Sequence, residues 1–301
     1  MNAKIAGITL CFALAVIATA CDAQKKEVKQ APLPTVQLTR LWTASGFKQP
    51  ESVVLDPKND VLYVSNIDGN PSDKDGNGFI SRVGLDGKVL DLVWVGGLNA
   101  PKGLGVYGGH LYAADIDAVV DINIADKTVK RYQVPAAKFL NDVAIDAKGR
   151  VYVSDMMDDA IYRLENGRLG LWVKDPKLAS PNGLLVENDR LVVGSWGVMT
   201  DGFATKTPGH LVAVSMTDGK VTDLGSPQPF GNVDGVEPDG QGNYFVTDWM
   251  AGVLYHVSPT GTVKELLKLH QGSADLTYLP DRKLLIVPMM NDGTLIAYEV
   301  Y

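Results

Sequence analysis

Cysteine is nearly absent. The 301-residue chain has two, Cys11 and Cys21. No disulfide can therefore brace anything beyond residue 21, and a folded domain there must rest on its core alone. Histidine is almost as scarce, with only His110, His210, His256 and His270. No two of them have metal-ligand spacing, so a histidine-based zinc site and a Ser-His-Asp triad both lack material. Positive charge is in deficit: 28 Lys and Arg face 35 Asp and Glu, a net charge of −7. Without a basic stripe there is no footprint for nucleic acid. A helical apolar period is missing after the first 20 residues. What is present is 46% apolar residues, enough for a core, arranged in short alternating runs.

The N-terminus is of a different kind. Lys4 precedes an uncharged apolar run over residues 5–18, and Ala18-Thr19-Ala20 is a small-residue cleavage signature. This predicts a secretory signal over residues 1–20; the run falls short of the roughly 20 apolar residues that span a bilayer. Cys21 follows directly, at the first mature position, where lipoprotein processing attaches its lipid. Asp22 resembles the residue that retains some bacterial lipoproteins at the inner membrane. The polar Lys-, Gln- and Glu-rich stretch completing residues 21–33 reads as a flexible tether. The expectation is an exported, lipid-anchored protein of the cell envelope facing the periplasm, with a soluble periplasmic or secreted form as the alternative. Residues 34–301 then form one domain, monomeric by default.

Six segments share one grammar: 51–66, 102–115, 141–155, 182–196, 234–248 and 275–289. A polar residue opens a short apolar strand, a turn rich in Asp, Asn or Gly follows, and a second strand ends on a small and then a polar or aromatic residue. Val61-Leu62-Tyr63-Val64, Tyr244-Phe245-Val246 and Leu284-Leu285-Ile286-Val287 are typical second strands. Third and fourth strands follow, at 79–83 and 89–95 for example. Four strands per unit at a period of roughly 40–50 residues marks an all-β, six-bladed β-propeller of antiparallel blades. An N-terminal strand at 36–42 should complete the sixth blade and close the ring. Blades one and four carry long loops, 67–78 and 197–209, which should stand as walls on opposite sides of the axis.

Strand direction places the start of each first strand and the end of each second strand on one face. Glu51, Lys102, Asn141, Asn182, Asp234 and Asp275 should therefore ring the channel mouth, with Asn66, Asp115, Asp155, Trp196 and Asp248 just outside. Glu51, Asn141, Asn182 and Asp234 offer carboxylate and amide oxygens, the donors a hard divalent cation takes. Each pair taken alone, Asn-Asp, Asn-Gly or Asp-Gly, is also an ordinary turn dipeptide. The matched placement across blades is what favours a metal.

With Glu51, the run from Leu140 to Arg150, Ser180-Pro181-Asn182-Gly183-Leu184 and Val233-Asp234-Gly235-Val236, the chain resembles the senescence marker protein/gluconolactonase family of six-bladed propellers. The resemblance covers residues 51 to about 290. It implies one divalent cation held by Glu51, Asn141, Asn182 and Asp234, with calcium favoured and zinc or magnesium as alternatives. It further implies Asp234 as general base and a lactone or related ester as the small-molecule substrate. Lys102 would stabilise an oxyanion or grip a substrate carboxylate, or else pair with Glu51. Two departures stand out: Glu51 is followed by Ser-Val-Val rather than Gly-Pro, and blade six lacks the family's Gly-rich ending. A non-enzymatic propeller that binds a ligand or protein, anchored in the envelope, is the second reading, and a structural repeat domain the third.

Further candidates are a second calcium loop at Asp73, Asp75 and Asn77, which has Gly84 where an EF-hand needs its bidentate Glu. Asn66, Asp155, Trp196 and Trp249 are the candidate substrate contacts; the tryptophans would stack on a ring or pack between blades. Met156, Met157, Met250, Met289 and Met290 fall at similar strand ends and would make the mouth partly apolar.

Overall fold

The computed structural model describes Met1 and residues 32–301; the signal segment, Cys21 and most of the tether lie outside the described residues. The folded unit is Leu33–Tyr301. It holds six four-stranded antiparallel sheets, the blades of a β-propeller. Blade one, for instance, runs Pro50–Asp56, Val61–Asn66, Gly78–Gly84 and Val89–Leu98.

The second strands read as unbroken apolar runs because both faces of each blade are covered. Side chains alternate across a strand, so Leu62 and Val64 enter a core shared with blade six, while Tyr63 between them enters a core shared with blade two. Six such cores lie between successive blades. The apolar seams are thus radial, and the axis is left to other residues.

Closure follows the predicted strategy. Leu38–Ser45 pairs with Thr294–Val300 and completes blade six from the N-terminus. On the axis side, the Asp275 N–H donates to the Glu51 carbonyl at 2.9 Å, joining blade six to blade one. At the end away from the mouth in blades one, three and five, an aspartate side chain (Asp56, Asp146 or Asp239) closes the hairpin between first and second strands. Asp146 accepts from Lys148 and Arg150 N–H, and Asp239 from Gln241 and Asn243 N–H. These Asx turns explain the Asp-x-x-Gly repeat of blades three and five.

The long blade-four segment is more than a loop. Gly197–Met199 pairs with Thr205–Pro208 as a small hairpin outside the blade. The Asn232 amide ties it down, donating to Trp196 O at 2.8 Å and Thr205 Oγ1 at 3.0 Å.

Candidate functional site

In blades one to five the first strand meets the second with a register shift at its mouth end. The shifts fall between Pro50 and Val53, Pro101 and Leu104, Leu140 and Val143, Pro181 and Leu184, and Val233 and Val236. Such a bulge adds one residue and re-aims its side chain. The residue after each leading position is Glu51, Lys102, Asn141, Asn182 or Asp234, and all five line one cavity of about 180 Å³. Five of the six predicted ring residues are therefore brought together.

The sixth is not. In blade six Ser273 bridges Met289 and Thr277 pairs with Ile286. By the same offset Ala274 holds the mouth position, and Asp275 drops one step down the channel. There it joins Ser52, Gly103, Asp142, Gly183 and Gly235 in a second tier. Ser52 Oγ donates to Asp275 Oδ2 at 2.5 Å, and Asp142 Oδ2 accepts from Leu184 N–H at 2.6 Å. Counting the repeat from its polar residue shifts blade six by one, because only the polar residue was visible and not the bulge.

The mouth is deeply buried and electrostatically loaded. Burial, with Asp275 and Asp248 nearby, holds the Asp234 carboxyl well above the usual carboxylate range. Burial followed by Asp234 and Asp275 does the same to Glu51, with Lys102 pulling it back. Asp275 is raised by burial to about 7, opposed by its hydrogen bond from Ser52. Lys102 is only 2% exposed. Its Nζ donates to Pro71 O at 3.0 Å and Ala100 O at 2.9 Å, and lies 4.3 Å from the Phe139 ring centre. Burial lowers it to about 8 despite the pull of Glu51 and Asp115. The ammonium is thus fixed by two carbonyls and an aromatic face.

Three buried oxygens at this mouth have no hydrogen-bond partner: Glu51 Oε2, Asn141 Oδ1 and Asp234 Oδ1. The Asn141 amide N–H faces Met156 Sδ at 3.4 Å, which leaves its oxygen for the axis. A buried acceptor without a donor costs roughly 1–3 kcal/mol. Three of them in one place, two from carboxylates, fit a hard cation. Among the described residues no three His, Cys, Asp or Glu side chains gather as a metal site by themselves; here two carboxylates combine with the amides of Asn141 and Asn182.

Around this polar floor the walls are apolar. Trp196 and Trp249 line them with ring centres 6.0 Å apart. Met156 and Met290 also line the cavity, whereas Met289 is in the blade-six core and Met157 faces solvent. Sequence reasoning missed Ile67, Pro71, Phe139 and Phe203. Phe139 stands two residues before Asn141, a position the repeat could have flagged. Phe203 arrives on the blade-four hairpin, which carries no repeat signal.

Asn66 and Asp155 do not line the cavity and are corrected here as substrate contacts. Asn66 Oδ1 accepts from Lys48 N–H at 3.0 Å, and its amide donates to Val64 O and Ser81 Oγ. Asp155 accepts from Lys138 and Phe139 N–H, both at 2.9 Å. Asp115 does the same for Asn99 and Ala100. These residues fasten the chain just before Glu51, Lys102 and Asn141, so they position that part of the ring from behind. In the 73–77 loop, Asp75 accepts from Asn77 N–H at 3.0 Å and from its side-chain amide at 2.8 Å. Both Asp75 oxygens are engaged within the loop, and Lys74 pairs with Asp117 at 2.5 Å.

Residues 49–271 match the family model described as the SMP-30/Gluconolactonase/LRE-like region. Among curated protein sequences, none matches the chain. Among solved structures, a gluconolactonase from Xanthomonas campestris is similar at a TM-score of 0.64 and 15% identity, covering 88% of this chain and 90% of its own. A streptogramin B lyase is similar at 0.63 and 12% identity, covering 88% and 98%. A virginiamycin B lyase from Staphylococcus aureus, solved with quinupristin, is similar at 0.59 and 15% identity, covering 88% and 99%. At these identities the likeness to solved structures is one of fold.

Proposed function

The chain belongs to the SMP-30/gluconolactonase/LRE-like family, and from that membership we propose that it hydrolyses a lactone or related ester at a divalent-metal centre in the channel mouth. The observation that carries the proposal is the set of partnerless buried oxygens of Glu51, Asn141 and Asp234, in a family that is generally metal-dependent. Glu51, Asn141, Asn182 and Asp234 would hold the ion. Calcium is favoured because the donors are hard oxygens, without thiolate or imidazole.

When bound, a divalent cation polarises a carbonyl and makes a water more acidic. The chain's own residues do the rest. The Asp234 carboxylate takes a proton from the attacking water, whose oxygen bonds to the acyl carbon. Lys102, held by Pro71 O and Ala100 O, presents its charge to the oxygen that becomes negative. As the ring C–O bond breaks, the alkoxide recovers the proton from Asp234. The apolar walls limit water around these charges, which strengthens each of them.

Metal analysis and a lactone screen on residues 34–301 test this reading. The expected result is one divalent ion per chain, a melting temperature that falls on chelation and recovers with calcium, and lactone opening that follows metal content. A metal-free protein indifferent to chelator and calcium would return the mouth residues to turn chemistry and favour the non-enzymatic binding propeller.

For location, we propose export through residues 1–20 and anchoring through lipid on Cys21, on the strength of the small-residue box that precedes this cysteine. Cys21→Ser is expected to shift the protein from the membrane to the soluble fraction. Retention of the variant in membranes would remove the anchor.

A further inference from the structure

We infer that the substrate of this site carries a compact apolar group, aromatic or short alkyl, beside the reacting carbonyl, and is not a polyhydroxylated sugar lactone. The inference rests on the hydrolase reading for the reacting group, and on the walls alone for the substituent.

The polarity of the cavity is divided. Glu51, Lys102, Asn141, Asn182 and Asp234 form one end. Phe139 and Met156 border it directly, against Lys102 Nζ and the Asn141 amide, and Trp196, Phe203, Trp249 and Met290 complete the apolar lining. The aromatic members interlock: Phe203 lies 5.5 Å from Phe139 and 6.2 Å from Trp196, both edge-on.

The polar atoms within these walls are already engaged. Trp196 Nε1 donates to Phe203 O at 2.9 Å. The Asn232 amide behind them serves Trp196 O and Thr205 Oγ1. Asn291, at the rim, donates to Gln271 O at 3.0 Å. A sugar lactone has several hydroxyls that would exchange water for aromatic faces and thioethers. Such groups are costly to bury without a partner. A site built for them would show convergent side-chain donors and acceptors, since that is how hydroxylated substrates are selected. A compact apolar group suits these walls: an apolar cavity of roughly 150 Å³ takes up a benzene-sized group, and the whole cavity here, polar end included, measures about 180 Å³, which leaves room for a small substituent only. Aromatic walls at these distances suit edge-on or offset stacking.

Phe203 sets the preference. It is half-buried and comes from the blade-four hairpin instead of the blade framework. Its side chain closes the wall between Phe139 and Trp196 without helping to build an inter-blade core.

Equilibrium binding by calorimetry tests this with lactams, which keep the ring and carbonyl but resist opening. The probes are δ-valerolactam, its phenyl-substituted form and a polyhydroxylated δ-lactam. The phenyl lactam is expected to bind at least about tenfold more tightly than the polyhydroxylated one, the gain that roughly two buried methylenes supply. Phe203→Ala should remove most of that gain, because the transfer and cavity costs fall chiefly on the substituent. Equal or tighter binding of the polyhydroxylated lactam overturns the inference, as does a protein that binds none of the three. The corresponding lactones separate the two claims. Tight phenyl-lactam binding with no lactone opened would remove the hydrolase reading and leave the apolar specificity standing. Opening of the sugar lactone in preference to the phenyl one would keep the hydrolase and remove the specificity.

Discussion

Asp234→Asn is expected to lower lactone turnover by about a thousandfold while the six blades stay folded. General-base catalysis contributes roughly 10²–10⁴-fold, and the same substitution removes one of the two anionic donors from the proposed centre. The fold should survive because the amide is isosteric. Asp234 is 4% exposed, and its Oδ1 makes no hydrogen bond that the change would break. In the metal-free protein burial and Asp275 disfavour its charged form, so neutralising it does not threaten the fold there. A thousandfold loss corresponds to about 4 kcal/mol of transition-state stabilisation, far more than any folding effect of this substitution. Steady-state kinetics beside thermal melting and metal analysis reads the result. Turnover within about tenfold of wild type, with the ion retained, would remove Asp234 as the base. An unchanged melting curve with lost turnover places the defect in chemistry.

The second large effect lies one tier below, where glycine is needed for closeness and not for conformation. A Cβ built on Gly183 falls 2.1 Å from Asp234 O and 3.2 Å from Val236 N. Both contacts are backbone atoms of the next blade's first strand, which cannot swing aside as a side chain would. At Gly103 the corresponding atom meets Asp142 Oδ1 at 2.1 Å and the Asp142 Cα at 2.4 Å. First strands converge towards the axis, and in the tier beneath the mouth Gly103 and Gly183 have no room for a Cβ against the neighbouring first strand. Gly183→Ala is therefore expected to cost about 3 kcal/mol, the upper end of ordinary overpacking. That corresponds to roughly 5–6 °C in melting temperature for a domain of this size. Because the displaced strand carries Asp234, proposed metal affinity should fall with it. Gly170→Ala is the control: nothing lies within 4 Å of its Cβ, and the change should be neutral or slightly stabilising through the unfolded chain. Equal melting temperatures for the two variants would show that the first strands can part without cost.

Much of the molecule was legible in the chain. Second strands such as Leu62-Tyr63-Val64 announce themselves because burial on both faces demands apolar residues at every position. Asp146 and Asp239 announce the hairpins because an Asx turn needs a short acceptor at a set offset. Glu51, Lys102, Asn141, Asn182 and Asp234 stood out because a polar residue at the start of an apolar strand has few reasons to be there. Asn66 and Asp155 were placed near the mouth correctly in the chain but wrongly in role. Sequence shows that a residue can make hydrogen bonds and does not show which backbone N–H groups will take them.

Local order, strand, turn and repeat were thus determined by the sequence alone, since each depends on residues within a few positions of one another. The tertiary structure decided three other things. It put Ala274 and not Asp275 at the mouth, because a register shift is a property of two paired strands. It closed the walls with Phe139 and Phe203, 64 residues apart in the chain and 5.5 Å apart in space. And it left the oxygens of Glu51, Asn141 and Asp234 without partners, a condition set only when the blades converge on one axis and exclude every other donor.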